Sequence, residues 1–162
     1  MNRVAHKFLL AIGLQVLSVH SVLACYESDA LFPSPVMGNS GEVLKLSDGT
    51  FWMVGPAYEY LYAYYPEILI CPDQGFMIID NTRIPVSEIE GPVIESSITS
   101  NFSGLEYGNI YRLANGQIWE QTQHWTWVWT WVNPQVIIYP HSGGFKMLVE
   151  NIEEPVYVER IR

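Results

Sequence analysis

The chain has 162 residues, of which 49% are hydrophobic and 14% aromatic, and its formal net charge is −9. This length accommodates one compact domain or two very small ones. A partner that is a nucleic acid is not expected, because binding to phosphates needs clustered Lys and Arg residues and this acidic chain has eight in all.

The first 24 residues have the pattern of a secretory signal peptide. Arg3 and Lys7 give a basic start, the apolar run 8–17 follows, and Ala24 precedes the expected cleavage site. The apolar run is shorter than the roughly 20 residues that span a bilayer, so no transmembrane segment is expected after cleavage. Cleavage would leave six basic and 17 acidic residues, a net charge of −11, in an exported protein of the periplasm or the extracellular space.

The two cysteines, Cys25 and Cys71, allow two interpretations. In an oxidising compartment an even pair predicts a disulfide. Alternatively, the residues before Cys25 resemble a bacterial lipobox imperfectly, which would make Cys25 the anchor of an outer-membrane lipoprotein and leave Cys71 as a free thiol. The pairing argument favours the disulfide.

Two parts of the mature chain repeat one sequence pattern. The segment GEVLKLSDGTFWMV (41–54) aligns with GNIYRLANGQIWEQ (108–121) at an offset of 67. The alignment places Gly49 on Gly116 and Trp52 on Trp119. Near the end of each copy, the Ile-Pro-Val of 84–86 aligns with the Glu-Pro-Val of 154–156 at an offset of 70. A duplication of about 50 residues explains these matches.

Each copy is predicted to be a set of short strands. Asp48-Gly49 and Asn115-Gly116 predict two-residue type I′ hairpins, because these residue types tolerate positive φ. No segment after the signal peptide has a helical period. Five short strands in about 50 residues predict a small SH3-like barrel. The expected fold class is therefore all-β, with two tandem SH3-like barrels related by internal duplication.

The repeats fix the expected domain boundaries. After the signal peptide (1–24), the parts are an N-terminal arm (25–40), repeat 1 (41–90), a linker (91–107) and repeat 2 (108–162). Pro33 and Pro35 favour a course of the arm along the surface. The linker is rich in Ser and Gly. A bond between Cys25 and Cys71 would tie the arm to repeat 1.

The hairpin motif resembles that of small secreted bacterial proteins of unknown function, which carry one or two SH3-like repeats with an L-x-N-G-Q-x-W hairpin. Residues 113–119, LANGQIW, fit this motif well, and residues 46–52, LSDGTFW, fit it more loosely. The resemblance covers nearly all of 41–162. It implies a fold and an envelope location, and it implies no activity.

Aromatic residues occupy every second position of one predicted strand in each repeat. They are Trp125, Trp127, Trp129 and Trp131 in repeat 2, and Tyr58, Tyr60, Tyr62 and Tyr64 in repeat 1. Because side chains i and i+2 share a face of a strand, each set predicts a continuous aromatic strip. Packing within or between the repeats is the favoured role, because large aromatics stabilise a small core. The alternative is a partly exposed platform for an envelope glycan or a polypeptide.

No catalytic constellation is evident in the sequence. The mature chain has two histidines, His124 and His141, and neither lies in a spacing that is typical of a metal site, so no metal and no cofactor are expected. Three hypotheses remain: a non-catalytic envelope module for binding, a structural or assembly component with buried strips, and, ranked last, a small carboxylate-dependent cell-wall hydrolase. The oligomeric state stays open.

Overall fold

The computed structural model describes residues 25–32, 36–37, 43–55, 62–63, 67–152 and 154–162. These residues form 16 β-strands and one 3-10 turn at Pro72–Gln74, with no α-helix among them. No helix in these segments is long and apolar enough to cross a membrane. The predicted signal peptide lies outside the described residues, and so do Tyr58, Tyr60 and Tyr64.

The first unit is a closed six-stranded barrel. Its strands are β1 (Tyr26–Phe32), β3 (Val43–Leu46), β4 (Phe51–Val54), β6 (Glu67–Cys71), β7 (Phe76–Ile79) and β8 (Thr82–Glu88), joined in the order β1-β3-β4-β8-β7-β6. Two short strands, β2 (Val36–Met37) and β5 (Tyr62–Ala63), pair separately. Alternate residues point inward, so that Leu44, Trp52 and Ile70 lie in the core.

The second unit has the same strand order. Its strands are β9 (Ile94–Ser97), β11 (Ile110–Arg112), β12 (Ile118–Gln121), β14 (Gln135–His141), β15 (Gly144–Val149) and β16 (Val156–Arg160), joined as β11-β12-β16-β15-β14-β9. A bridge between Ile98 and Leu113 connects the two ends of this curled sheet. Strands β10 (Phe102–Leu105) and β13 (Trp127–Trp131) pair separately, as β2 and β5 do. The prediction of an all-β fold with two barrel-like units is confirmed; the SH3-like assignment stays a prediction.

Both repeats begin earlier than the domain boundaries expected from the sequence. Strand β1 lies within the expected arm, and its Ala30 pairs with Leu46. Strand β9 lies within the expected linker, and the adjacent Ile98 pairs with Leu113 in the same way. Each sheet needs this strand because its edge strands would otherwise leave backbone groups unpaired. Each barrel therefore uses six strands where five were predicted.

The first hairpins of the two repeats match in detail. Trp52 and Trp119 are both buried, and the Nε1 of Trp119 donates to the Oε1 of Gln117 at 3.0 Å, as the Nε1 of Trp52 does to the Oγ1 of Thr50 at 2.7 Å. The turn type differs from the predicted type I′. In each loop only the glycine has a positive φ. Its N–H donates to the carbonyl oxygen of the leucine before the loop, Leu46 or Leu113, and this is the pattern of a three-residue loop.

The alignment of the last strands of the two repeats, as predicted from the sequence, is wrong by two residues. Ile84 pairs with Met77, and in repeat 2 it is Val156 that pairs with Met147. Val156 therefore occupies the position of Ile84, where the alignment had placed Glu154. The turn between β15 and β16 is consequently two residues longer than its counterpart between β7 and β8. Pro85 and Pro155 therefore match in the sequence alignment but do not occupy equivalent positions in the sheets.

The disulfide prediction is confirmed. Cys25 is bonded to Cys71, and the next pair inward is Tyr26 with Ile70. Since β1 is a strand of the barrel, the bond joins two neighbouring barrel strands. The expectation from the sequence, that the bond ties a separate arm to repeat 1, is therefore wrong.

The two barrels contact each other through an apolar cluster. The cluster combines Val43, Phe51 and Met53, from the outer side of β3 and β4, with residues of β14 and β15, namely Ile137, Tyr139 and Leu148. An ion pair lies beside it, in which the Nζ of Lys45 is 2.6 Å from the Oε2 of Glu95. The apolar run in β14 is explained by this cluster, because alternate residues face the core of barrel 2 and the surface of barrel 1. The tryptophan strip is not part of this contact.

Candidate functional site

The tryptophan strip forms a surface on repeat 2. Strand β13 pairs with β10, and every residue of β13 is exposed. The exposed fractions are 46% for Trp127, 46% for Trp129 and 42% for Trp131, whereas the core residue Trp119 is 1% exposed. Trp125 is half-buried against the core of barrel 2. Packing was the role favoured from the sequence, but the structure leaves three of the four indoles accessible.

The four indoles are arranged as two stacked pairs. The ring centroids of Trp125 and Trp127 are 6.0 Å apart with an interplanar angle of 16°, and those of Trp129 and Trp131 are 6.5 Å apart at 20°. The pairing of β13 with β10 contains a β-bulge. Gly104 pairs with Val128 and Phe102 pairs with Trp131, so one residue of β10 lies opposite two residues of β13. Such a bulge re-aims side chains locally. The strip therefore has two halves.

A buried polar network holds the start of the tryptophan strand. Gln121 is fully buried, and its Nε2 donates to the carbonyl oxygens of Gln123 and Trp125 at 3.0 and 2.8 Å. The hydroxyl of Tyr111 donates to the Oε1 of Gln121 at 2.9 Å. Burial raises the pKa of Tyr111 to about 12, so the hydroxyl keeps its proton for this bond even at pH 10. Buried polar groups that are all paired in this way fix one backbone position.

A close backbone approach holds the strand on its other side. Gly104 in β10 has φ of +120°, and a Cβ at this position would collide with the carbonyl oxygen of Trp127. Only glycine allows this approach. Its neighbours Phe102 and Leu105 insert into the core of barrel 2 and connect the strand to the barrel.

A groove opens beside the first stacked pair. Trp125 and Trp127 form one wall, and Asn151, Ile152 and Glu154 of the longer β15–β16 turn form the other. Its volume is about 310 Å³. Ile152 is buried and anchors the turn, whereas Asn151 and Glu154 are exposed. We call these five residues the tryptophan groove.

The two histidines considered for metal chemistry each lie beside a tyrosine ring. His124 stacks on Tyr107 with ring centroids 3.9 Å apart, and His141 lies 5.9 Å from the ring of Tyr157. Burial and the nearby Lys146 lower the pKa of His141. Within the part of the chain that the structure describes, no three His, Cys, Asp or Glu side chains are grouped as metal ligands would be.

Of the predicted tyrosine strip, Tyr62 lies in β5 and pairs with Met37. Tyr58, Tyr60 and Tyr64 lie outside the described residues. The core positions of the two repeats differ at one pair. At the offset of 67, the polar pair Tyr111 and Gln121 of repeat 2 replaces the apolar pair Leu44 and Val54 of repeat 1.

Sequence reasoning missed the residues around the strip. Tyr111 and Gln121 support the strand, and Asn151 and Glu154 face it across the groove. A signal for the first two was present, because a glutamine at a repeat position that is otherwise a core valine predicts a buried hydrogen-bond network. No signal identified Asn151 and Glu154, because the ungapped alignment hid the longer turn.

Comparisons of the chain with protein-family models, curated proteins and solved structures give no significant match in any of the three. The functional argument therefore depends on the geometry of this surface.

Proposed function

We propose that the protein is an exported, non-catalytic binding module and that the tryptophan surface on β13 is its recognition surface. The observation that carries the proposal is the exposure of Trp127, Trp129 and Trp131, each more than two-fifths accessible. Indoles bury about 150–250 Å² each and stabilise small cores when they are inside. Three exposed indoles on one strand are better explained by a partner that covers them.

The support of this strand argues that it is built to present its side chains. Gln121 fixes the backbone at Trp125, and the contact at Gly104 fixes it at Trp127. Preorganised aromatic side chains lose little conformational entropy when they bind. Val128 and Val132 are 81% and 83% exposed, so the strand is not a wall of the barrel core.

The assembly alternative is less well supported within one chain. The two barrels associate through Val43, Ile137 and Tyr139, without the tryptophan surface.

Export is part of the proposal. The Cys25–Cys71 bond is compatible with an oxidising compartment. The bond also occupies the sulfur that a lipid anchor at Cys25 would need. We propose the periplasm or the extracellular space as the location.

The proposal is tested by binding to the mature protein, residues 25–162, and to its Trp127→Ala and Trp131→Ala variants. Uncharged oligosaccharides and unstructured uncharged peptides serve as probes in calorimetry. Loss of at least 2 kcal/mol of binding free energy in a variant that still melts like the wild type identifies a recognition residue. Wild-type affinity in every variant for each probe that binds would reject the surface. Turnover of a cell-wall polymer that is lost in one Asp or Glu variant would reject the non-catalytic assignment.

A further inference from the structure

We infer that the tryptophan groove is a binding subsite for one sugar ring of an uncharged glycan chain. This inference rests on the proposed function and names the class of ligand that the surface takes. The groove combines an aromatic wall, a polar wall and a volume of about 310 Å³. This volume lies at the lower end of the range for small-molecule sites, about 300–1,000 Å³.

The aromatic wall suits the face of a sugar ring. The indole of Trp127 is parallel to that of Trp125 within 16°, and Trp125 packs against the core of barrel 2. The face of an indole carries the negative part of its quadrupole. The axial C–H groups of a pyranose ring are its apolar, slightly positive side, so the ring can lie flat on the indole.

The polar wall suits the hydroxyl groups of the same ring. Asn151 offers an amide that donates and accepts, and Glu154 offers a carboxylate that accepts. Among the described residues, neither side chain makes a hydrogen bond or an ion pair within the protein. The carboxylate of Glu154 would accept hydrogen bonds from two neighbouring hydroxyls, and the amide of Asn151 would reach a third. These bonds would hold the edge of the ring while the indole covers its face.

The negative charge at the groove argues against anionic glycans as ligands. The groove includes Glu154 and no Lys or Arg, and the chain from residue 25 onward has a net charge of −11. A uronic acid or a phosphate would meet like charge without a compensating cation. The strand itself, 125–132, has no charged residue, so a neutral polymer can extend along it.

A peptide strand is a poorer fit than a sugar. Strand addition depends on a regular row of backbone donors and acceptors. Strand β13 has five residues and an extra residue between Val128 and Trp131, which breaks the regular row. Peptide pairing would also leave Asn151 and Glu154 unused.

Each wall of the groove has a feature that differs from repeat 1. The β15–β16 turn, which contains Asn151 and Glu154, is two residues longer than its counterpart, because Val156 occupies the position of Ile84. On the opposite side, Gln121 replaces Val54 and supports Trp125. Two independent differences between the repeats thus meet at one groove.

The test uses residues 25–162 with hexamers of β-1,4-linked glucose and of β-1,4-linked N-acetylglucosamine, titrated by calorimetry and by tryptophan fluorescence. Trp127→Ala should weaken binding of at least one hexamer by at least about 30-fold, which is 2 kcal/mol. Asn151→Gly keeps the positive φ of 63° and removes the amide, so about a 3- to 10-fold loss is expected. Ile110→Ala, an exposed apolar residue outside the groove, is the control and should bind like the wild type.

The outcomes separate this inference from the proposed function. If an unstructured peptide binds through the indoles and neither hexamer binds, the module is a binding protein and the sugar subsite is wrong. If a hexamer binds and Asn151→Gly and Glu154→Gln both bind it like the wild type, the polar wall is not used and the subsite is wrong as well. If no saccharide or peptide binds, the sugar subsite and the proposed function both fail. A hexamer that binds and is lost in Trp127→Ala and weakened in Asn151→Gly establishes the subsite.

Discussion

The Nε2 of Gln121 donates to the carbonyl oxygen of Trp125 at 2.8 Å, and this bond fixes where the tryptophan strand leaves barrel 2. The same amide group bonds Gln123, and its oxygen accepts from Tyr111. Repeat 1 has apolar residues at the positions of Tyr111 and Gln121. The polar pair therefore serves the strand and is not a requirement of the barrel.

The single substitution Gln121→Val, which copies repeat 1, should destabilise the protein by about 1–3 kcal/mol. It removes the amide that bonds the carbonyl oxygen of Trp125, and it leaves the buried Tyr111 hydroxyl with only the longer, 3.4 Å bond to the carbonyl oxygen of Gly104. The double variant Tyr111→Leu/Gln121→Val removes two polar side chains together and should recover part of the loss, as coupled neighbours do. Urea unfolding measures both. Equal destabilisation by the single and double variants would contradict the network.

Replacement of both Cys25 and Cys71 by serine should cost about 2–5 kcal/mol, the usual range for a native disulfide of a small secreted domain. Because the bond lies beside the β1–β6 ladder, the loss should open barrel 1 between these strands. Hydrogen exchange should accelerate in 26–32 and 67–71 and stay slow in 144–149 of barrel 2. Acceleration confined to 25–26 would indicate a tether without a structural role.

Gly104→Ala should displace β13, because the added Cβ meets the backbone of Trp127 and the φ of +120° is unfavourable for alanine. Gly143→Ala is the matched control: its φ is +79°, but the space around its Cβ is open. The control should cost about 1 kcal/mol of backbone strain. Gly104→Ala should cost more than the control and should also alter the near-ultraviolet circular dichroism of the indoles. Equal effects of the two variants would show that the close approach is unimportant.

The first hairpin of each repeat could be predicted from the sequence, whereas the strands that close each sheet could not. The hairpins around Gly49 and Gly116 depend on residues within seven positions of each other, so their motif was sufficient to predict the hairpins, although not their turn type. Strands β1 and β9 close each sheet by pairing with distant strands, and their side chains alternate weakly. Glu27 and Ser28 do match Glu95 and Ser96 at an offset of 68, but two identities are a weak signal.

The exposure of the indoles could not be predicted for a different reason. Alternation predicts that Trp127 and Trp129 share a face, but it does not say whether that face meets a core or solvent. That depends on β10, which fills the core with Phe102 and Leu105 and leaves β13 outside. The groove was unpredictable because it depends on the length of a turn across the barrel.

Alkaline pH should destabilise the protein through Tyr111. Burial raises its pKa to about 12 in the folded state, against about 10 in the unfolded chain. The contribution of the neutral hydroxyl is therefore fully present below pH 10 and is lost as the pH rises toward 12. The urea midpoint should fall between pH 9 and pH 11.5, and the fall should be smaller in Tyr111→Phe. The fall should not vanish in that variant, because burial also raises the pKa of Tyr139. An unchanged fall in Tyr111→Phe would contradict the assignment.

Truncation of single tryptophans should separate the core from the recognition surface. Trp119→Ala should cost about 3–5 kcal/mol of stability, because this side chain is 1% exposed and fills the core of barrel 2. Trp127→Ala and Trp131→Ala should each cost less than about 1.5 kcal/mol, since their indoles are more than two-fifths exposed and each loses one stacking partner. Acrylamide quenching provides an independent measurement: part of the wild-type emission should be readily quenched, and that part should shrink in the two surface variants. A cost of 3 kcal/mol or more for Trp127→Ala would place its indole in a core and remove the basis of the proposed function.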